Sequence, residues 1–245
     1  MHPILFQWRG VKVWSYPAFL YFGLCAGIVA GNAAAHAAGT DAFGVFVATL
    51  LLIPAALAGS RILYVTAHWS YYRRNLARIW NRQEGGTSLY GGILLALAAS
   101  APLLGFLHVG MGAFWDASVF TILVGMIPTR VGCLMNGCCS GRKTGTWLGI
   151  YLPNHQGVWA RRIPTQCLEA FWAAILLAIT IAVRSRMRWP GALFLLAAGG
   201  YAFGRIGLEL TREPESAASP FTVEHAISIA ALAASSMILA LRWAR

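Results

Sequence analysis

Seven separate apolar stretches, each near the length that crosses a bilayer, constrain this chain more than any other feature. They run Tyr16–Ala38, Phe43–Val65, Leu89–Val109, Phe114–Met135, Gln166–Val183, Gly191–Arg212 and Val223–Trp243. A membrane-crossing helix needs about 20 mostly apolar residues. In lipid, every backbone polar group has to be satisfied inside such a helix. The expected fold is therefore all-α: a polytopic membrane protein with about seven transmembrane helices, read as a single domain over residues 1–245. Pro54, Pro102 and Pro128 fall inside spans and predict kinks. Composition agrees, with 58% hydrophobic and only 11% charged residues and a mean hydropathy of +0.62. An average soluble domain carries about a quarter charged residues, so a water-soluble enzyme is excluded. Disorder is excluded by the amount of apolar surface. Five cysteines are too sparse, and odd in number, for a disulfide scaffold. No cleavable leader pattern, internal repeat or nucleotide fingerprint is read, and nucleic acid is not an expected partner.

Two connections are longer than a turn requires. Residues of about 66–88 carry Arg74, Arg78 and Arg82 at i, i+4 and i+8, which on a helical reading gives an amphipathic segment on the membrane surface. Plain solubility and headgroup contact explain the same arginines equally well. Residues of about 137–165 hold Gly141, Gly145, Gly149, Pro153, Gly157 and Pro164, and read as an ordered, turn-rich cap. With seven spans, the N-terminus and both segments share one side, together with Arg73, Arg142, Lys143, Arg161 and Arg162. Counting Lys and Arg alone puts that side in the cytoplasm.

The sixth span holds charges that lipid does not tolerate. At about 100° per residue, Arg205, Glu209 and Arg212 fall roughly 40°, 80° and 20° from Tyr201, in one narrow stripe. Opposite charges stand at i, i+4 and i, i+3 spacing, with Gly199, Gly200, Gly204 and Gly207 allowing close approach. A charge at the bilayer centre costs at least ~2.5–3.5 kcal/mol. The stripe is thus either a structural ion-pair network or the wall of a polar cavity for an anion, with Glu209 ordering the arginines. Arginine suits bidentate phosphate contacts. The fourth span ends in T-R-V-G-C-L-M-N-G-C-C-S-G-R-K-T, where Arg130 stands in apolar surroundings and Asn136-Gly137 and Ser140-Gly141 form turn pairs. Asp116 near the start of that span reads as an interfacial helix-start residue.

These residues, taken in order, resemble the prolipoprotein diacylglyceryl transferase family over nearly the whole chain. His2-Pro3 and Ser15–Pro17 resemble its opening, with Tyr16 at its functional tyrosine. Gly59-Ser60-Arg61 resembles its glycine-arginine turn, and Tyr90-Gly91-Gly92 falls where the family has His-Gly-Gly. Arg130, Gly132, Asn136, Gly137, Gly141 and Arg142 match its signature R-I-G-N-x-x-N-G-x-x-x-G-R. Pro164-Thr165-Gln166 with Glu169 resembles H-P-[ST]-Q-L-Y-E, and Tyr201, Arg205, Glu209 and Arg212 match the sixth-helix pattern. The departures are Tyr90, Cys133, Cys138, Ile163 and Leu168 in place of the family's histidine, asparagine, glutamate, histidine and tyrosine.

The resemblance implies transfer of diacylglyceryl from phosphatidylglycerol to a lipobox cysteine thiol, with release of glycerol phosphate. It implies a bacterial inner-membrane protein with a small periplasmic cap and its site on the periplasmic side, the reverse of the charge count. The catalytic residues expected on this reading are Arg130, Arg205, Tyr90 and Glu209. Tyr16, Asn136, Gly141, Arg142, Tyr201 and Arg212 are expected to bind substrate. Tyr90 would need neighbouring arginines to act as a base, because a free tyrosine titrates near 10; otherwise it donates a hydrogen bond. His155 is the alternative base. Cys133, Cys138 and Cys139 are open to three readings: inert packing residues, a disulfide, or a nucleophile or metal site. Their spacing lacks paired histidines or a second C-x-x-C, so no metal and no cofactor is expected. Two rival readings keep the phosphate pocket: the same lipid donor with another acceptor (a small molecule, a lipid or another protein), and a phospholipid-binding or transport protein without chemistry.

Overall fold

The computed structural model describes residues 4–8, 10–81, 86, 88–154, 157–213 and 223–243. A hairpin of β1 (Ile4–Trp8) and β2 (Val11–Trp14) leads into α1 (Ser15–Ala37). There follow α2 (Ala42–Ala67), the short α3 (Trp69–Tyr72), α4 (Leu89–Phe106) and α5 (Met111–Asn136). A two-stranded ribbon, β3 (Ile150–Pro153) and β4 (Trp159–Arg162), precedes α6 (Thr165–Val183), α7 (Ala192–Glu209) and α8 (Val223–Trp243). Seven of these helices are long and apolar enough to cross a membrane. The chain is a multi-pass membrane protein, all-α but for the two small ribbons. Large side chains such as Phe22, Leu57, Phe171 and Phe203 stand exposed on the bundle; on a membrane protein such surface faces acyl chains.

The helices approach closely because small residues line their contacts. α1 packs most extensively on α5. A Cβ added at Gly23 would run into the Gly125 carbonyl, one at Gly27 into the Thr121 carbonyl, and one at Gly31 into the Thr121 hydroxyl. α2 and α4 meet in the same way, Gly59 against Gly91, each facing the other's carbonyl. Pro54, Pro102 and Pro128 lie inside α2, α4 and α5, which continue through them. Asp116 is not an interfacial helix-start residue. It reaches from α5 to the first turn of α7 and accepts from the Gly191 and Phe194 amides at 2.7 and 2.8 Å. Gly191 is left-handed (φ 98°), so α7 has no side-chain cap of its own, and a carboxylate from the neighbouring helix takes two of its orphan donors.

Alternation of the spans brings the starts of α1, α4, α6 and α8 and the ends of α2, α5 and α7 to one face of the bundle. There the chain departs from the sequence reading in two places. The first is the expected amphipathic helix through Arg74 and Arg78. It is broken into α3 and a 3-10 turn over Leu76–Trp80, while Arg82 lies outside the described residues. Arg61 accounts for the break: its guanidinium donates to the carbonyls of Ile79, Gly86, Arg78 and Asn81 at 2.9–3.4 Å, pulling the segment back onto the end of α2. The second is the sixth span, whose helix ends at Glu209, three residues short of Arg212. The Thr211 and Arg212 amides close onto Leu208 and Glu209, and Arg212 then bridges to Gly141.

A five-residue ion network at the capped end

α5, α6 and α7 deliver the charged residues of the apolar spans to one place. Glu169, one turn into α6, is 5% exposed and stands between three arginines. Its Oε2 lies 3.0 Å from Arg130 Nη1 of α5. Its Oε1 lies 2.6 Å from Arg205 Nη1 of α7 and 3.5 Å from Arg212 Nη2. Glu209 forms the second bridge, 2.7 Å from Arg205 Nη2 and 3.8 Å from Arg212 Nη1. Three guanidinium groups and two carboxylates give this network a formal charge of +1. Burying like charges together is costly unless each is paired, so the two glutamates are what allow three arginines to stand side by side. Arg130 Nε is buried with no hydrogen-bond partner among the described residues, a donor left over for a ligand.

The cap holds the network from outside. Arg142 donates through its amide to the Thr211 carbonyl (2.9 Å) and through Nε to the Arg212 carbonyl (3.1 Å). Gly141 has no room for a side chain, since a Cβ there would meet the Ile163 carbonyl. Arg162, fully buried, pairs with Glu213 at 2.8 Å and donates to the Gly141 carbonyl at 3.3 Å. The Arg162 guanidinium beside it holds the Glu213 carboxyl below the usual range. Thr165 at the start of α6 hydrogen-bonds Thr211 after α7. Gln166 donates to the Cys138 carbonyl at 2.7 Å, tying α6 to the turn after α5.

The remaining sequence candidates fall around this centre. The Tyr90 hydroxyl, at the start of α4, is 2.6 Å from Ser228 Oγ of α8, and its ring packs edge-on against Tyr201 at 6.3 Å. Tyr16 at the start of α1 is close enough to Arg130, Cys133, Cys138 and Cys139 to interact with all four. Cys133, Cys138 and Cys139 are free thiols with Sγ atoms within 4.8 Å of one another. Asn136 is exposed, with its side chain against the Cys138 thiol. His155 lies outside the described residues.

Sequence reading gave Glu209 the ordering role and left Glu169 without one. The signal was present as a lone carboxylate in the apolar run T-Q-C-L-E-A-F-W. Gln166 carries a motif match but no role in the sequence reading, and Ser228 and the Arg162–Glu213 pair are not marked there, because nothing local shows which polar residues meet across helices.

The prolipoprotein diacylglyceryl transferase family model matches residues 3–241. The chain is 30% identical over 171 residues to a phosphatidylglycerol–prolipoprotein diacylglyceryl transferase of Dehalococcoides mccartyi, an alignment covering 69% of this chain and 65% of the relative. It is 25% identical over 214 residues to a protein of the same name from Clostridium kluyveri, covering 85% and 84%. With that of Clostridioides difficile it shares 23% over 229 residues, covering 94% and 90%. In the first of these comparisons the chain spans just under two thirds of the relative's length.

Proposed function

The chain belongs to the prolipoprotein diacylglyceryl transferase family, and on that premise we propose that it moves diacylglyceryl from phosphatidylglycerol to the cysteine thiol of a prolipoprotein, releasing glycerol phosphate. The observation that carries this reading is the convergence of Arg130, Arg205 and Arg212 on Glu169 at the capped end. The donor's phosphodiester is an anion held at the membrane face. A network of formal charge +1, carried by α5, α6, α7 and the turn that follows α7, is complementary to it in charge. Arginine offers planar, paired donors suited to phosphate oxygens.

The reaction breaks the bond between a glycerol carbon and a phosphate oxygen. Charge accumulates on that oxygen as the thiolate attacks from the opposite side. Arg130 and Arg205, held in place by Glu169, are assigned to the leaving phosphate, which they stabilise without reorganising. Arg212, at the junction of bundle and cap, is assigned to the headgroup entrance, with Arg142 and Gly141 holding it there. Asn136, Tyr16 and Tyr201 are assigned to substrate binding on the strength of the family motifs they match. Tyr90 is assigned to the thiol proton, or to a hydrogen bond that positions the thiol; its contact with Ser228 fixes the hydroxyl in either case. The protein is placed in the bacterial inner membrane with the capped end facing the periplasm. The opposing excess of Lys and Arg at that end does not decide the matter, because Arg142, Arg161 and Arg162 among the counted cations are engaged with cap carbonyls.

The test is to incubate the purified protein with radiolabelled phosphatidylglycerol, with and without a lipobox peptide, and to follow glycerol phosphate. Release that requires the peptide supports the transferase reading. Release driven only by another acceptor replaces the thiol. Tight lipid binding without release replaces catalysis by binding.

A further inference from the structure

The C-terminal turn of α5 gathers thiols. Gly137 (φ 76°) ends the helix in the left-handed region, and Cys139 (φ 56°) is left-handed as well. A non-glycine residue seldom holds that conformation, and where it does the surrounding structure imposes it, often at functional sites. Here the double reversal folds Cys138 and Cys139 back onto Cys133, one turn before the helix end. The three Sγ atoms lie within 4.8 Å of one another, Cys133 is 4% exposed, and all three are free. The turn is pinned by Gln166, which takes the Cys138 carbonyl. A row of C-x4-C-C gives no ligand spacing on paper. The fold supplies the convergence that the spacing lacks.

We propose that Cys133, Cys138 and Cys139 bind one Zn2+ ion as thiolates, and that its open fourth position takes the acceptor thiol. Sulfurs about 2.3 Å from a tetrahedral zinc stand roughly 3.8 Å apart, so thiols already within 4.8 Å need only small rotations to close on the ion. Three protein ligands with one position free is the arrangement of a zinc that handles substrate rather than one that only braces the fold. Three thiolates on Zn2+ carry one net negative charge. The arginine network anchored by Gln166's neighbour Glu169 lies on the same α5–α6 junction, so the thiolates face a cationic surrounding.

The second half of the proposal rests on the transferase reading and, of the two roles assigned to Tyr90, leaves it the positioning hydrogen bond and gives the thiol proton to another acceptor. A thiol that coordinates zinc is deprotonated on binding, its proton passing to water. The zinc-bound sulfur then attacks the glycerol carbon. A carbon–sulfur bond forms, the carbon–oxygen bond breaks with its electron pair going to the phosphate oxygen, and glycerol phosphate leaves. The thioether product is a neutral, weak ligand and dissociates from the metal.

The test uses the full chain in detergent, reduced and stripped with a chelator, then titrated with Co2+ as a visible stand-in for Zn2+. One Co2+ per chain is expected, with thiolate-to-cobalt charge-transfer bands and tetrahedral d–d bands. Cys133→Ser and Cys139→Ser should each weaken binding at least tenfold, while Arg130→Ala should keep the bands and lose glycerol phosphate release. Zinc-edge X-ray absorption on the unmutated protein, which needs no variant to fold, should give three sulfur neighbours, rising to four with a cysteine lipobox peptide and staying at three with its serine counterpart. Absence of cobalt–thiolate bands after full reduction, or bands undiminished in both serine variants, overturns the site. Three sulfurs with either peptide overturns the acceptor position. Peptide-dependent release that persists without metal overturns the zinc chemistry but leaves the transferase standing. A metal site with no release under any condition keeps the three-thiolate ligation and removes the transferase.

Discussion

Glu169 Oε1 lies 2.6 Å from Arg205 Nη1, a contact made across 36 residues of sequence and between two membrane helices. Because the same carboxylate also meets Arg130 and Arg212, it is the hinge of the network. Removing one partner of a buried pair costs about 3–5 kcal/mol when the remaining charge stays uncompensated. Glu169→Gln should therefore lower the unfolding midpoint in detergent and reduce glycerol phosphate release by at least about 100-fold, the scale of a lost electrostatic stabiliser. Glu169→Asp, which keeps the charge, should retain more of both. Thermal unfolding and the release assay on the pair check this.

Arg130→Lys and Arg205→Lys preserve charge but lose the planar fork. A lysine ammonium is a point charge and cannot hold two phosphate oxygens in plane. Both variants should fold and bind lipid, yet lose about 10- to 1,000-fold in kcat. KM for phosphatidylglycerol should move far less than kcat, because the lost contacts strengthen only as the phosphate leaves.

The Tyr90–Ser228 hydrogen bond separates two roles for the tyrosine. If its hydroxyl takes the thiol proton, Tyr90→Phe should cost about 100- to 10,000-fold in rate and only about 1 kcal/mol of stability. Ser228→Ala leaves the hydroxyl in place and should cost less in rate. Equal, small losses in both variants would leave Tyr90 a packing and positioning residue. Rates and unfolding midpoints of the two single variants decide between them.

The cap has its own pH dependence. Arg162 is fully buried and Glu213 is its counter-ion at 2.8 Å. The Glu213 carboxyl is held below its ordinary value, so this pair adds stability at pH values above the normal carboxylate range. That contribution is lost as pH falls through the depressed value, below the ordinary carboxylate range. Glu213→Gln should remove it at neutral pH, costing roughly 1–3 kcal/mol, less than a fully buried pair because Glu213 is partly exposed. Its stability should then change less between pH 6 and 3 than that of the unmutated chain, which urea unfolding at a series of pH values reads directly.

Much of this was legible before any coordinates. The spans were, because lipid leaves the backbone one solution and a 20-residue apolar run is hard to mistake. Arg205 and Glu209 were, because a charge in such a run demands a reason. What lay beyond reach were meetings between distant segments. Asp116 looks like a helix-start residue until α7 is seen to need its carboxylate. Arg74 and Arg78 look helical until Arg61 draws the loop carbonyls back to α2. Arg212 keeps its place beside Glu209 although the helix that set the spacing has ended, because the cap carries it there. Cys133, Cys138 and Cys139 give no ligand pattern in line, and only two left-handed residues bring them together.

The most direct measurement is glycerol phosphate release from radiolabelled phosphatidylglycerol by the purified chain, in the presence of a lipobox peptide, for the unmutated protein beside Arg130→Ala and Arg205→Ala. Peptide-dependent release by the former, abolished in both variants while they remain folded, is the expected result. Unchanged release in both variants would contradict the assignment of the buried arginines to the lipid phosphate.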